Sequence, residues 1–309
     1  MRIIVAGAAG FVGYHLSRRL LDAGHDVVGI DSMTTGSRAN AADLAGCDRF
    51  RFIEQDIVQP ITVDDPVDRI FNLACPASPV DFRDKALEIM QTCSAGARNL
   101  LELAHDRSAL FLQASTSECY GDPAEHPQPE TYWGNVNPIG PRAPYDEGKR
   151  FAEALTFAYH RTRGVQTRIV RIFNTYGPRM RADDGRALPT FISQALAGEP
   201  ITIHGDGSQT RSFCFVSDLV EAMLRTADSD CPDPINIGND AELTVRQAAE
   251  AVVELAASSS RLICVERPVN DPERRRPDLT RAREVLGWSP VVPWREGLSK
   301  TIDYFRSLR

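Results

Sequence analysis

The stretch Arg2-Ile3-Ile4-Val5-Ala6-Gly7-Ala8-Ala9-Gly10-Phe11-Val12-Gly13 decides how this chain is read. Ile3 to Ala6 is an apolar run with the composition of a buried strand. Val12, Leu16 and Leu20 recur at helical spacing as far as Ala23-Gly24, where glycine ends the helix. A glycine turn between a strand and a helix lets the backbone approach a pyrophosphate, and the helix start offers unpaired N–H groups and the positive end of a dipole. Gly7, Gly10, Phe11, Val12 and Gly13 are therefore expected to bind a dinucleotide. Asp31 ends the next apolar run. An acid there accepts both hydroxyls of an adenosine ribose and repels a 2′-phosphate, so NAD is expected ahead of NADP. Arg38 nearby keeps NADP open as the lesser option. Asp56 and Ile57, after the third run, face the adenine in this reading, and Leu73 at the end of the fourth joins the set.

Apolar, β-branched runs continue at Asp26–Ile30, Arg51–Ile53, Arg69–Ala74, Leu110–Ala114 and Thr167–Phe173. Helical patterns lie between several of them, at Leu87–Ala104 and at Tyr145–Arg163, the latter closed by Gly164. This alternation predicts an α/β fold whose parallel sheet is covered on both faces. After Asn174 proline and glycine thicken and the elements shorten. The expected division is a dinucleotide-binding domain over 1–173, with returns to the sheet near 212–239 (Phe213–Leu224 and Pro234–Ile237). A smaller, mixed α/β substrate-binding region would span 174–211 and 240–309, over the carboxyl edge of the sheet.

Composition excludes several classes. Among 309 residues, 35 Lys and Arg face 42 Asp and Glu, a net charge of −7, whereas nucleic-acid binders lean basic. No apolar run approaches the roughly 18 residues of a membrane helix, and the chain enters a core strand directly after Met1-Arg2, so neither a membrane partner nor a signal peptide is expected. Seven cysteines, odd in number and without a Cys-x-x-Cys, argue against a disulfide framework or zinc site and for reduced thiols in the cytoplasm. The histidines show no ligand spacing, and no metal is expected.

Tyr145 and Lys149 are one helical turn apart and share a face. An ammonium beside a phenol eases its ionisation, and the same lysine can hold nicotinamide ribose hydroxyls. Thr116, just past the fifth strand, lies where a parallel sheet presents ligand-facing residues, and its hydroxyl can position the Tyr145 proton.

Together the glycine turn, this threonine and Tyr-x-x-x-Lys resemble the extended short-chain dehydrogenase/reductases that act on nucleotide sugars. Ala114-Ser-Thr-Ser-Glu118, Tyr132-Trp-Gly-Asn-Val-Asn-Pro-Ile-Gly-Pro-Arg142, Tyr145-Asp-Glu-Gly-Lys149, Arg171-Ile-Phe-Asn-Thr-Tyr-Gly-Pro-Arg-Met180, Gly205-Asp-Gly-Ser-Gln-Thr-Arg-Ser-Phe213 and Asp271-Pro-Glu-Arg-Arg-Arg-Pro-Asp278 resemble the UDP-glucuronate decarboxylases in particular. The resemblance spans nearly the whole chain. It implies a Rossmann-type, doubly wound sheet, bound NAD, a UDP-sugar substrate and a homodimer. It also implies a reaction. C4 of the glucuronate is oxidised with Tyr145 as base, the resulting β-keto acid loses CO2, and C4 is reduced again to give UDP-xylose. Ser117 stands where the related 4,6-dehydratases carry an acid, which suits a substrate bearing its own carboxylate. Glu118 would handle water or a proton at C5, and Arg275 would hold the carboxylate and assist its departure. Asn174, Arg186 and Arg211, with His204 and Gln209, would contact the nucleotide diphosphate and the sugar.

Three positions depart from the resemblance. Phe82 replaces a tyrosine, His204 replaces a tyrosine before Gly-Asp-Gly, and Pro144 replaces a cysteine before Tyr145. Proline there is expected to hold Ala143 extended and start the helix rigidly. A loosely held intermediate would release some UDP-4-keto-xylose. The alternatives are a UDP-glucuronate or UDP-hexose 4-epimerase and, more distantly, a non-catalytic NAD-sensing protein.

Overall fold

The computed structural model describes residues 1–63, 65–266 and 274–309. Its centre is a seven-stranded parallel sheet of β1 (Arg2–Ala6), β2 (Asp26–Asp31), β3 (Phe50–Glu54), β4 (Arg69–Asn72), β5 (Leu110–Thr116), β6 (Thr167–Ile172) and β7 (Ile235–Ile237), in the order β3-β2-β1-β4-β5-β6-β7. The order reverses between β1 and β4, the point at which doubly wound sheets bind ligands. The strands alternate strictly. Ile3 and Val5 face one core with Leu16 of α1 (Phe11–Asp22), while Ile4 and Ala6 face another with Leu100 of α2 (Ala97–Arg107) and Tyr159 of α3 (Ala143–Arg163). Each aliphatic side chain buried this way contributes about 1.5–3 kcal/mol. With both faces packed, the strand ends at the carboxyl edge become a rigid platform.

The structure differs from the sequence expectations at several places. Leu87–Ala104 is helical throughout, as expected, but not uniformly α. It divides into Ala86–Gln91, a π turn at Thr92–Gly96, and α2. Hydrophobic period alone does not separate a π turn from the helix around it. Phe213–Leu224 does not enter the sheet. Cys214–Phe215 pairs with Thr175–Tyr176, and the chain then forms α4 (Val216–Asp228), whose Leu219 and Met223 cover the α1 face of the core. Only Ile235–Ile237 returns to the sheet, beside β6. Ala143 is the first residue of α3 rather than an extended lead-in. Its N–H already bonds the Gly140 carbonyl, and Pro144 occupies the first turn, where a missing N–H costs nothing. Thr116 is the last residue of β5, not the residue after it.

Over the carboxyl edge sit short pairings. Ile201–His204 runs parallel to Leu262–Val265, and Thr210–Ser212 lies between Glu242–Thr244 and Arg274–Arg275. A capping box of Thr244 and Gln247 starts the helix Val245–Ala256, which packs against Ala187–Ala197.

Candidate active site

A cleft of about 450 Å³ runs between the carboxyl edge and these short elements, with a smaller recess of about 90 Å³ beside it. Both are walled by Gly7, Gly10, Leu73 and Cys75; the cleft adds Phe11, Val12 and Gly13, and the recess adds Asp31, Asp56 and Ile57. The glycines are dictated by space. A Cβ on Gly13 would stand 2.0 Å from the Gly7 carbonyl oxygen, and Gly7 itself has φ +82° with the Leu73–Ala74 backbone 2.9 Å from where a Cβ would be. No side chain caps the start of α1. Asp31 Oδ2 accepts from the Ala9 N–H at 3.0 Å and Oδ1 from the Met33 N–H at 2.9 Å, which leaves further acceptor positions on both oxygens. Arg38 forks onto Glu54 at 2.7 and 2.9 Å, so its charge is already matched. A turn without room for a Cβ at Gly7 and Gly13, an uncapped helix start and a carboxylate fixed by backbone N–H groups fit a dinucleotide whose ribose carries free hydroxyls. Gly13→Ala is expected to destabilise the protein by about 1–3 kcal/mol and to weaken NAD binding about tenfold or more. Thermal unfolding and a binding titration check this; an unchanged titration would sink the close-approach argument.

Past the cradle, α3 brings Tyr145 and Lys149 into the cleft, both buried. Lys149 Nζ donates to the Ala114 carbonyl at 2.9 Å and lies 5.9 Å from the centre of the Tyr145 ring. Burial pushes the Tyr145 phenol up to about 12, while Lys149 and a hydrogen bond with Thr116 pull the other way. Burial works against the Lys149 charge, but the neighbouring Cys75 and Tyr145 outweigh it and its pKa is raised. Lys149 is thus a fixed cation beside a protonated phenol. Phe82 stacks on Tyr145 with ring centres 4.6 Å apart and planes 15° apart, and the Arg142 guanidinium lies 5.3 Å from the Phe82 ring centre.

Thr116 caps the short 3₁₀ turn Ser117–Tyr120 by accepting from the Glu118 N–H. This turn aims Ser117 and Glu118 into the cleft. Glu118 is clamped by two guanidiniums. Arg142 reaches it at 2.7 Å, and Arg275 donates to its other oxygen while giving a second N–H to the Gly121 carbonyl at 3.1 Å. Burial opposes the Glu118 charge, but Arg275 and then Arg142 overcome it and hold the carboxyl well below its usual range. The Arg275 Nε and the Asp146 Oδ1 are both buried with no hydrogen-bond partner.

Asp146, next to Tyr145, has its carboxyl raised to about 7, by burial first and then by Glu118, against Arg142 and Arg275 and with a smaller push from Glu147. Its folded value exceeds the unfolded value of about 4. Its contribution to stability is therefore full below about pH 4 and lost as pH rises through about 7. Asp146→Asn should raise Tm at pH 8, by an amount that narrows toward pH 5. Melting curves across that range test this, and a difference independent of pH would refute it.

On the opposite wall, Arg186 forks onto Asp184 at 2.5 and 3.0 Å, and Asn174 follows β6 with its carbonyl bonded to the Cys214 N–H. Gln209 Nε2 donates to the His204 carbonyl at 2.7 Å, His204 Nδ1 donates to the Glu266 carbonyl at 3.0 Å, and Arg211 donates to the Thr210 carbonyl at 2.8 Å. All five line the same cleft as Arg275 and Glu118. Asp271–Glu273 of the arginine-bearing stretch lie outside the described residues. Sequence alone does not single out Arg142, Asp146 or Cys75 as parts of the site. Arg142 had a signal: it stands three residues before Tyr145, the spacing of one helical face.

Fold and site place the chain in a class. It belongs to the NAD dependent epimerase/dehydratase family, whose sequence model matches residues 3–238. More narrowly, it is 49% identical over 307 residues to UDP-glucuronic acid decarboxylase 5 of Arabidopsis thaliana, covering 99% of this chain and 89% of that protein. It is 47% identical over 304 residues to UDP-glucuronic acid decarboxylase 1 of Danio rerio, covering 98% and 72%. Among solved structures it resembles a UDP-glucose 4-epimerase of Thermotoga maritima with UDP-glucose (TM-score 0.91, 28% identity, 100% and 99% covered). It also resembles a UDP-glucuronic acid 4-epimerase of Bacillus cereus in complex with UDP-glucuronic acid and NAD (TM-score 0.88, 28% identity, both chains covered 100%).

Proposed function

We propose that this chain is an NAD-dependent UDP-glucuronate decarboxylase that forms UDP-xylose and releases some UDP-4-keto-xylose. The observation that carries this reading is the Glu118 carboxylate clamped by Arg142 and Arg275 in the same cleft as Thr116, Tyr145 and Lys149. Guanidiniums that already hold one carboxylate beside the base suit a sugar carrying its own carboxylate. Identity near 48% to decarboxylases over almost the whole chain supports the same substrate.

The residues divide the work. Gly7, Gly10, Phe11, Val12 and Gly13 hold the pyrophosphate, Asp31 the adenosine ribose, and Asp56, Ile57 and Leu73 the adenine end. When bound, NAD supplies the hydride acceptor at the start of each cycle and the donor at its end. In its phenolate form, which the Lys149 charge and the Thr116 hydrogen bond favour against burial, Tyr145 Oη takes the C4 hydroxyl proton. The product of this step is a 4-ketone with a carboxylate on C5, and the ketone takes up the electrons when the C–C bond to CO2 breaks. Arg275 and Arg142 hold that carboxylate, Glu118, ionised between them, orients the water that gives C5 its proton, and Ser117 leaves room where a second acid would repel the substrate. Tyr145 Oη then returns its proton to the C4 oxygen. Asn174, Arg186, His204, Gln209 and Arg211 hold the UDP. Phe82 gives the sugar no hydroxyl, which supports partial escape of the ketone.

A homodimer packed through Ala86–Gln91 and α3 is part of this reading, supported by Leu87, Met90 and Phe151, large apolar side chains exposed on those helices. So is a cytoplasmic location, supported by seven unpaired thiols. Among the described residues no helix is long and apolar enough to cross a membrane.

One reaction tests the function. The protein is mixed with UDP-glucuronate and NAD, and products are followed by proton NMR and mass spectrometry. Loss of CO2 mass with pentose signals is the expected result, and absence of keto-pentose would count against partial release. Unchanged mass with inverted C4 would make the protein an epimerase.

A further inference from the structure

Two cysteines meet behind the reacting end of the cleft. Cys75, in the loop after β4, is half-buried and walls both the cleft and the adjoining recess. Cys93, buried, sits in the π turn Thr92–Gly96, and its Sγ lies 3.7 Å from Cys75 Sγ. This is the sole sulfur–sulfur hydrogen bond among the described residues. Gly148 of α3, the residue before Lys149, presses on Cys93: a Cβ there would be 3.3 Å from Cys93 Cβ and 3.4 Å from its Sγ. π turns of this kind recur at functional sites. The hydrogen bond from Cys75 lowers the Cys93 thiol against the cost of burial, and Lys149 lowers it further.

We infer that Cys75 and Cys93 are a redox-active dithiol that a hydroperoxide converts to a disulfide, switching the site off. The Cys75 sulfur, reached through the cleft, passes its proton to the Cys93 sulfur in hydrogen-bond contact with it and attacks the peroxide as a thiolate. An S–O bond forms, the O–O bond breaks, and an alcohol or water leaves with the thiol proton. Cys93 sulfur then attacks the Cys75 sulfenic acid, so that the S–S bond forms, the S–O bond breaks and water leaves. Two thiols give up two electrons, and the peroxide accepts them. The sulfurs must close from 3.7 Å to about 2.05 Å, which shifts the Cys75 loop or the π turn by an ångström or more. Both segments abut the Tyr145–Lys149 pair, and a displacement of about 1 Å near reacting groups costs about a hundredfold in rate. Oxidation also removes the thiols that Lys149 faces.

The experiment treats the reduced, full-length protein with hydrogen peroxide, blocks remaining thiols with iodoacetamide and maps the digest by mass spectrometry. The expected product is a Cys75–Cys93 linked peptide, lighter by two hydrogens and reversed by dithiothreitol. Turnover of UDP-glucuronate should fall about a hundredfold with it and recover on reduction. In Cys93→Ser the linked peptide should vanish and a Cys75 sulfenic acid should become trappable by dimedone. If Cys75 and Cys93 alkylate equally before and after peroxide, the pair is not redox-active and the inference falls. A linked peptide with unaltered turnover overturns the switch. The rate readout rests on the proposed decarboxylase activity, whereas the peptide map does not. Reduced protein that never turns over UDP-glucuronate therefore indicts the functional reading, while the map still decides the dithiol. The wild-type map also stands if Cys93→Ser fails to fold.

Discussion

Tyr145→Phe is expected to cut turnover by about 10²–10⁴-fold with the fold and NAD binding intact. The ring is held by stacking on Phe82, which phenylalanine keeps, and by burial, which phenylalanine suits. The lost atom is the phenol oxygen, whose partner in the site is Thr116. Removing it leaves no base at C4, while Lys149 keeps its bond to the Ala114 carbonyl. Single-turnover rates, a NAD titration and Tm separate the effects. A kcat within about tenfold of wild type would reassign the base, and a collapsed Tm would make Tyr145 structural.

Glu118→Gln should have the second-largest effect, and it should act on stability and chemistry together. It removes the anion between Arg142 and Arg275. Breaking a buried ion pair by taking away one partner costs about 3–5 kcal/mol. The lower end is expected here, because Glu118 is one of the causes that raise Asp146, and without it Asp146 ionises more readily and supplies part of the missing charge. Two readouts follow. Decarboxylation should fall by about 10²-fold or more as the water that protonates C5 loses the carboxylate that orients it. The pH dependence of Tm between about 5 and 8, set by Asp146 in the wild-type protein, should flatten. Full activity with an unchanged pH profile would show that Glu118 serves only to seat the arginines.

Much of the fold was legible because local rules and global packing agree. The run Ile3–Ala6, the glycines after it and the period of Val12, Leu16 and Leu20 belong to one strand–turn–helix unit, and each can be read within a dozen residues. The first six strands lie within a residue or two of their expected positions for the same reason. The misses fall where local pattern carries no information about partners. Phe213–Leu224 is apolar enough for a strand, but a helix covers the α1 side of the core there. The helical run that ends in α2 holds a π turn that periodicity does not register. Ala143 begins a helix although proline follows it, because the preceding turn at Gly140 has already curled the chain.

The candidate site divides the same way. The sequence by itself determined the glycine turn, because the backbone leaves no room for a Cβ at Gly7 or Gly13, and a helix places Tyr145 and Lys149 one turn apart wherever it lies. It also determined the family, through motifs whose residues recur together. Only the tertiary structure decided what stands around Glu118: Arg142 from the start of α3, Arg275 from a short strand far along the chain, and Asp146 behind them. It alone set Phe82 flat on Tyr145 and brought Cys75 to Cys93. The physical reason is range. Backbone sterics and helical period act within a few residues, whereas ion pairs, ring stacks and thiol contacts depend on which strand ends the sheet order makes neighbours, and no local spacing encodes that order.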